Sequence, residues 1–511
     1  MKLSSHLTYR LTHHFTHGAA AIAALLLLAE TTTSPLRAAS AVAAAQAKMA
    51  PVVRVNATDQ AWDFFHPWTK RPPYSRRGLG AVLRGGKVLV TAELIANSNY
   101  LELERAESGE KVPATVEAVD YEADLALIKP QDETFLKGIT PLELTNAAVG
   151  DHLAVWQLES TGALLSTDAL LTTIQVSRYP EVDVALLSYN LTTSLQYREG
   201  SFTLPIVKGG KLAGILLRYD NRTQNADAIP LAVIEHFLDD AAARSYGGFP
   251  KAGLLYAPAR DPQLRRYANI SPMVSGGVYI THVERESAAE EAGIKVGDVL
   301  LEIAGKVVDQ DGNYNDPQYG KLALINVISL QKAGSKVPFK LLRDGKELDL
   351  DVTLRHKPLE SYVIAPYVID QAPSFYVLGG LVFQELSRQY LKEWGGDWPK
   401  KAPERLVYYD RYQSDLFHGG RKHLVILSQV LPTADTIGYE ELSGLIVTKI
   451  NDVPLESFAD VPKALEHPVN GFHKIEFEGN PNVIYLDAQQ VSDHSGDLKK
   501  AYGLTTIQRT Q

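Results

Sequence analysis

Cysteine is absent from all 511 residues. That excludes a disulfide framework, a thiolate metal site and a cysteine nucleophile. A basic excess is missing too. Lys+Arg is 51 against Asp+Glu 60, a formal net charge of -9, which gives no cationic field for gripping nucleic acid. Past the first fifty residues no segment has 18 uninterrupted apolar residues, so no later stretch reads as a membrane span. The composition, 45% hydrophobic and 22% charged, excludes a wholly disordered or collagenous chain. What remains for chemistry is Ser, Thr, carboxylates and His. At about 100–200 residues per domain, the length suggests two to four domains.

The start of the chain reads as a leader. Lys2 and Arg10 precede an apolar run between Gly18 and Glu30, the length of a signal-peptide core and short for a bilayer. Ala45-Gln46-Ala47 has the small-x-small form of a cleavage site, with Ala39-Ser40-Ala41 as a second candidate. Residues 1–47 are therefore expected to be a signal peptide, an uncleaved anchor being the other reading. Their removal takes away three basic residues and one acidic residue, leaving the chain near -11. The expectation is an exported protein, periplasmic or extracellular, with no stable membrane insertion after cleavage. Its lack of cysteine fits a bacterial periplasm better than a eukaryotic secretory route.

Three regions follow. Residues 52–245 read as short Val-, Ile- and Leu-rich strands parted by Gly, Pro, Asn or charged turns, among them Lys87-VLVTA, Pro113-ATVEAVD and Asp124-LALIK. That spacing predicts a β-barrel or sandwich. A helix is expected from Pro230 to Ser245, and Gly247-Gly248-Phe249-Pro250 reads as a linker. Residues 249–357 mix strands and helices. Ser287 is placed to cap a short helix that Gly293 ends, Lys321–Lys332 reads as a second helix, and Asp344-Gly345 turns a hairpin. Residues 373–511 repeat parts of this order.

Ser287-AAEEAGIKVGDVLLEIAGKVV resembles the central stretch of a PDZ domain, and Leu445-IVTKINDVPLESF does so more weakly. A trypsin-like region followed by two such modules is similar to the HtrA/Deg family of exported serine proteases, nearest its plant-type branch through Ser374-FYVLGGLVF, Tyr390-LKEWGGDW and Val483-IYLDAQQ. The resemblance implies a mainly β fold: a double β-barrel over 52–245, a PDZ domain over 249–357 and a PDZ-like domain over 373–511. It also implies a homotrimer or higher oligomer, for which the aromatic run Trp62, Phe64, Phe65 and Trp68 is the expected contact, because such rings would make a costly exposed patch on a monomer.

The catalytic positions depart from the family pattern. The stretch that matches Leu-Thr-Asn-Ala-His-Val-Val reads Leu89-Val90-Thr91-Ala92-Glu93-Leu94-Ile95, so Glu93 stands at the histidine. Asp124 matches the aspartate ahead of Leu-Ala-Leu-Ile-Lys, and Asp120 also fits the pattern. Counting back without a gap from Gly210 lays Gly-Asn-Ser-Gly-Gly-Pro on Glu199-Gly200-Ser201-Phe202-Thr203-Leu204. Ser201 is then kept and all three glycines are replaced; anchoring on Pro205 would instead put Phe202 at the nucleophile. A serine nucleophile needs a base that takes its proton and returns it to the leaving amine, a role that suits His and not a carboxylate beside a second carboxylate. An oxyanion hole needs two N–H groups aimed at one point. Glu199, Phe202 and Thr203 crowd that turn with side chains. His66 and His152 lack triad spacing, the loop carrying His418 and His423 reads as solvated, and neither a metal site nor a cofactor is expected.

Peptide binding needs only backbone and apolar pockets, so it can outlast the triad. The resemblance puts a carboxylate loop at Ala252-Gly253-Leu254-Leu255, with Lys251 beside it and a helix carrying Leu322, Ile325 and Ile328 as the opposite wall. The equivalent turn in the second module is Gly379-Gly380. The leading expectation is a catalytically inactive HtrA/Deg homologue that binds polypeptide C-termini or unfolded segments, or scaffolds an exported complex. The alternatives are a working endopeptidase using Ser201 and Asp124 with another base, and a chaperone-like holdase. Glu93 separates the first two readings.

Overall fold

The computed structural model describes residues 50–159, 161–196, 203–412 and 421–510. The leader expected over 1–47 and the residues Ser201, Glu199, Phe202 and His418 lie outside the described residues.

Twelve strands close into two antiparallel barrels. The first comprises β1 Val52–Asp59, β2 Tyr74–Leu83, β3 Lys87–Val90, β4 Ser98–Glu104, β5 Lys111–Asp120 and β6 Leu125–Pro130, in the order β1-β2-β3-β6-β5-β4. The second comprises β7 His152–Leu158, β8 Leu164–Arg178, β9 Ala185–Thr193, β10 Pro205–Lys208, β11 Lys211–Asp220 and β12 Asn225–Pro230. Its order, β7-β8-β9-β12-β11-β10, repeats that of the first. Period-two burial drives the closure: in β7, Leu153, Val155 and Gln157 turn inward while their neighbours stay partly exposed, as a pleated strand requires. The helix Leu231–Ala242 follows, within the expected span.

The next module is a sheet in the order Leu254–Pro258, Val278–Val283, Val299–Ile303, Lys336–Arg343 and Lys346–Thr353. Ser287 caps the short helix Ala288–Glu291, its Oγ accepting the Glu290 N–H at 3.2 Å. Gly293 follows at φ +82°, and Asp344-Gly345 turns the hairpin at φ +51° and +78°. The expected helix from Lys321 to Lys332 is not formed as such. Leu322 lies in the strand Gly320–Ala323, paired with Asn313–Asp316, and the helix is only Ile325–Ser329. The hairpin and the helix lie against β8 and β9, so this stretch buries Leu322 and Ile328 partly under barrel 2. One hydrophobic cluster runs from Leu89 and Leu127 through Val155 and Ile215 to Ile280 and Phe339. The expected linker is packed as well: Phe249 is buried, and the Gly248 N–H donates to Asp240 at 2.8 Å.

The C-terminal sheet runs Val483–Asp487, Phe472–Phe477, Leu445–Ile450, Val425–Val430, Leu381–Glu385, Phe375–Leu378 and Gln508–Arg509. It corrects the expectation for the aromatic run. Phe64 and Trp68 are 5% and 8% exposed, and they are covered by this sheet within the same chain. Phe65 meets the edges of Trp394 and Tyr390 at 4.9 and 6.0 Å between centroids, and Trp68 meets Phe375 at 6.1 Å. The Gln384 amide donates to the Phe64 carbonyl at 3.1 Å, and the Arg509 guanidinium lies 4.1 Å over Trp62. The rings are a strap between barrel 1 and the C-terminal module. Among the described residues no helix is long and apolar enough to cross a membrane.

Phe64→Ala should therefore destabilise the chain by about 3–5 kcal/mol, the usual result for a buried aromatic, read as a lower urea midpoint. A change in particle mass with an unchanged midpoint would return the rings to an intermolecular role.

Candidate functional site

The two barrels meet where sequence reasoning placed the triad. β3 runs through Thr91 into the one-turn helix Ala92–Ile95, which buries Ala92, Leu94 and Ile95 and leaves Glu93 half-buried. Asp124 precedes β6 at φ +51° and is fully buried. Asp120 shapes its turn: one carboxylate oxygen accepts the N–H groups of Glu122 and Ala123 at 2.8 and 3.0 Å, and the other accepts the Tyr246 hydroxyl at 2.6 Å.

Asp124 Oδ1 accepts the Glu93 N–H at 2.7 Å, while Asp124 Oδ2 is buried with no hydrogen-bond partner among the described residues. Burial pushes the Asp124 carboxyl well above the usual range; the Glu93 and Ala92 N–H groups oppose this, and the Glu93 and Glu181 charges add to it. Burial also raises Glu93, with Glu181 acting in the same sense and Arg76 against it. The Arg76 guanidinium is directed elsewhere, to Asp59 at 3.3 Å and to the Glu93 carbonyl. Both carboxyl groups therefore hold a proton more tightly than a free carboxylate does.

Thr203 lies two residues beyond Ser201 and adopts φ +50°. A β-branched residue there is strained, whereas glycine is not. The backbone thus holds a glycine-type conformation at a position that is a motif glycine in both alignments. The Thr203 hydroxyl offsets the strain: it accepts the Thr91 N–H at 3.0 Å and lies 2.5 Å from the Thr91 hydroxyl, and the Thr203 carbonyl accepts the Leu79 N–H at 3.1 Å. A cavity of about 320 Å³ opens beside this junction, lined by Glu93, Pro180, Leu195, Leu204, Leu217 and others. His66 pairs with Asp63 at 3.1 Å and His152 with Asp168 at 3.1 Å, and the charges that act on Asp124 are carboxylates.

In the first module the candidate loop is built differently from the expectation. Gly253 has φ +76°, and a Cβ there would come within 2.3 Å of Ser287 Cβ. The close approach that demands glycine is to the helix cap. Lys251 does not offer a free charge, because its Nζ donates to Glu122 of barrel 1 at 2.7 Å and to the Tyr362 hydroxyl at 3.0 Å. Ala252 is buried and its carbonyl accepts the Ala289 N–H at 2.9 Å. Leu322 is buried rather than on a groove helix, Ile325 opens the helix half-buried, and Leu255 is 58% exposed. Leu254 and Leu255 lie in an edge strand of the sheet. In the second module Gly379 and Gly380 form a two-residue hairpin turn at φ +59° and +121° between Phe375–Leu378 and Leu381–Glu385. A Cβ on Gly380 would lie 2.4 Å from the Leu431 carbonyl oxygen. This turn is closed by the chain itself.

PDZ-domain models match residues 264–354 and 364–508. Protease Do-like 2, chloroplastic, of Arabidopsis thaliana is 27% identical over 461 residues, covering 89% of this chain and 74% of the relative. Protease Do-like 4, mitochondrial, of the same plant is 25% identical, covering 86% and 82%. The chain belongs to the HtrA/Deg family. Among solved structures, the HtrA-type protease AlgW with decapeptide aligns at a TM-score of 0.47 and 17% identity, over 61% of this chain and 97% of that one. The residue that sequence reasoning missed is Glu181, which no motif marks; the positive φ of Thr203 is the structural counterpart of a replaced glycine already read in the sequence.

Asp124 yields a signed prediction. A carboxyl raised in the folded state contributes stability below its unfolded value, near pH 4, and loses it as pH rises through the folded value. Asp124→Asn keeps an acceptor for the Glu93 N–H and removes the charge. The variant should melt higher than the wild type at pH 8, by about 1 kcal/mol or roughly 2–4 °C, with the gap closing toward pH 4. Calorimetry across that range checks it, and a lower melting temperature at pH 8 would contradict it.

Proposed function

We propose that this chain is a non-catalytic member of its family that binds polypeptides, exported behind the leader at residues 1–47. One observation carries the reading: Asp124 Oδ2, the acceptor that a catalytic histidine would engage, is buried without a partner among the described residues, and the residue at the histidine position is a carboxylate. Peptide binding is supported by the first PDZ sheet, whose strand Leu254–Pro258 stands at one end of the sheet order and so can accept an added strand. In the second module the corresponding edge, along Leu381–Glu385, is already paired with Phe375–Leu378, which favours a structural role. The rival reading, a working endopeptidase using Ser201 and Asp124, draws on the relatives, which are named as proteases. Assembly into a homotrimer would use a surface other than the aromatic strap, which the C-terminal sheet occupies.

The purified protein should show no casein turnover and no labelling of Ser201 by a fluorophosphonate probe. Removing the histidine of a subtilisin-type triad costs roughly 10⁶-fold in turnover. Glu93→His alone should restore little, because the Ser201 turn keeps its side chains. Turnover that disappears in Ser201→Ala would establish the rival.

The first PDZ domain should bind peptides with a free apolar C-terminus at micromolar affinity, about -8 kcal/mol. Amidating the terminus should weaken binding by about 10- to 100-fold, the value of a charge-assisted hydrogen bond. Equal binding of free-acid and amidated peptides to the full chain, measured by calorimetry, would make this domain structural.

A further inference from the structure

The cleft between the barrels has one apolar side and one acidic side. Barrel 2 and its approach supply Leu195, Leu204, Leu216 and Leu217, and barrel 1 supplies Glu93. Among the described residues the Glu93 carboxylate has no ion pair, since Arg76 pairs with Asp59 and donates to the Glu93 carbonyl. Lys392, reaching over from the C-terminal module, donates to the carbonyl of Glu181 at 2.7 Å rather than to its carboxylate. Arg218, which also lines the cleft, is held by Asp227. Behind Glu93 lies the orphaned, wholly buried Asp124 Oδ2. Both Glu93 and Glu181 act on Asp124, so three carboxyl groups influence one another, and among the described residues none of the three is in an ion pair, although the Arg76 charge acts on Glu93 and the Lys392 charge couples to Glu181.

The linker between the PDZ modules packs beside the segments that carry two of the lining residues. Ile369 packs on Ala96 and Val182, which follow the lining residues Glu93 and Pro180 by three and two positions. Asp370 and Asn97 bond reciprocally, side chain to backbone, at 2.6 and 3.0 Å. At about 320 Å³ the space lies at the small end for ligand pockets and suits an end or a side chain better than a long extended segment.

We infer that the cleft receives an alkylammonium group of a polypeptide, a lysine side chain or a free N-terminus, with Glu93 as its anchor and an apolar neighbour against Leu204 and Leu217. An ammonium carries the donors that the acidic side lacks. A charge-assisted hydrogen bond is about twice as strong as a neutral one, and the methylene stem of lysine buries well along an apolar wall. The inference deepens the reading of the cleft as a non-cleaving polypeptide site and rests on it.

The test uses the full chain and four fluorescent pentapeptides of Leu and Ala, all amidated so that no carboxylate is offered to a PDZ groove. One is acetylated with a central lysine, its control carries norleucine there, one has a free N-terminus without lysine, and its control is acetylated. Fluorescence anisotropy should show the lysine peptide, the free-amine peptide or both binding about 10- to 100-fold more tightly than their neutral controls. The two amine arms tell side chain from terminus. Glu93→Gln, checked for folding by circular dichroism, should abolish the difference, and added salt should reduce it. Neutral controls that bind as tightly as the amines overturn the inference, as does a preference that survives Glu93→Gln. Cleaved peptide in the mass spectrum would sink the non-cleaving reading and leave the amine preference to be judged on its own. Failure of all four to bind would sink both.

Discussion

A carboxyl group taken wholly out of water must be hydrogen-bonded, neutralised or faced by a cation, and Asp124 meets that constraint only in part. One oxygen is held by main-chain N–H groups and the other has no partner among the described residues. The main-chain bonds come from the residues that begin the helix after β3, so they fix the path of that helix and the place of Glu93. Burial, the largest cause, pushes the Asp124 carboxyl toward its protonated form, and the Glu93 charge adds to that push. A trypsin-like double barrel thus carries at this position a buried acid pushed toward its protonated form, whereas the acid of a serine-protease triad works in its charged form.

The same logic applies to apolar surface. Four large rings ahead of β2 must be covered, and a sequence cannot say by what. Here the cover is the C-terminal sheet, and its polar groups complete the contact: Gln384 and Arg509 reach the Phe64 and Pro67 carbonyls, which a docked strap would otherwise leave unpaired. Burying rings and satisfying backbone acceptors together makes such a contact specific. The linker does the equivalent on the other side of barrel 1, through Ile369 and Asp370.

Local signals were legible in the sequence where they act over a few residues. Ser287 as a cap, Gly293 as a stop and Asp344-Gly345 as a hairpin turn depend on short-range sterics and hydrogen bonds, and each appears as expected. Glu93 and Asp124 were legible as positions because motif spacing puts them just after β3 and just ahead of β6. Tertiary choices were not. Leu322 belongs to a run with helical spacing, yet pairing of Gly320–Ala323 with Asn313–Asp316 takes it into a strand, where packing under barrel 2 outweighs propensity. Lys251 beside a glycine loop reads as an anion ligand until Glu122, more than a hundred residues away in sequence, turns out to hold it. Gly379-Gly380 looks like the Gly253 loop in one dimension and differs in which strand follows it back.

That last contrast bears on how the two PDZ modules divide their work. A strand edge is a row of unpaired donors and acceptors, and it is either covered or available. The first module leaves Leu254–Pro258 at the end of its sheet; the second adds Phe375–Leu378 beyond Leu381–Glu385 and then Gln508–Arg509 beyond that. The added strand also carries Phe375, against which Trp68 of the strap rests. Self-pairing in the second module therefore closes an edge and at the same time builds the surface that receives the N-terminal rings. A peptide competing for that edge would have to displace Phe375 and loosen the strap with it, whereas one joining the first module meets no such cost.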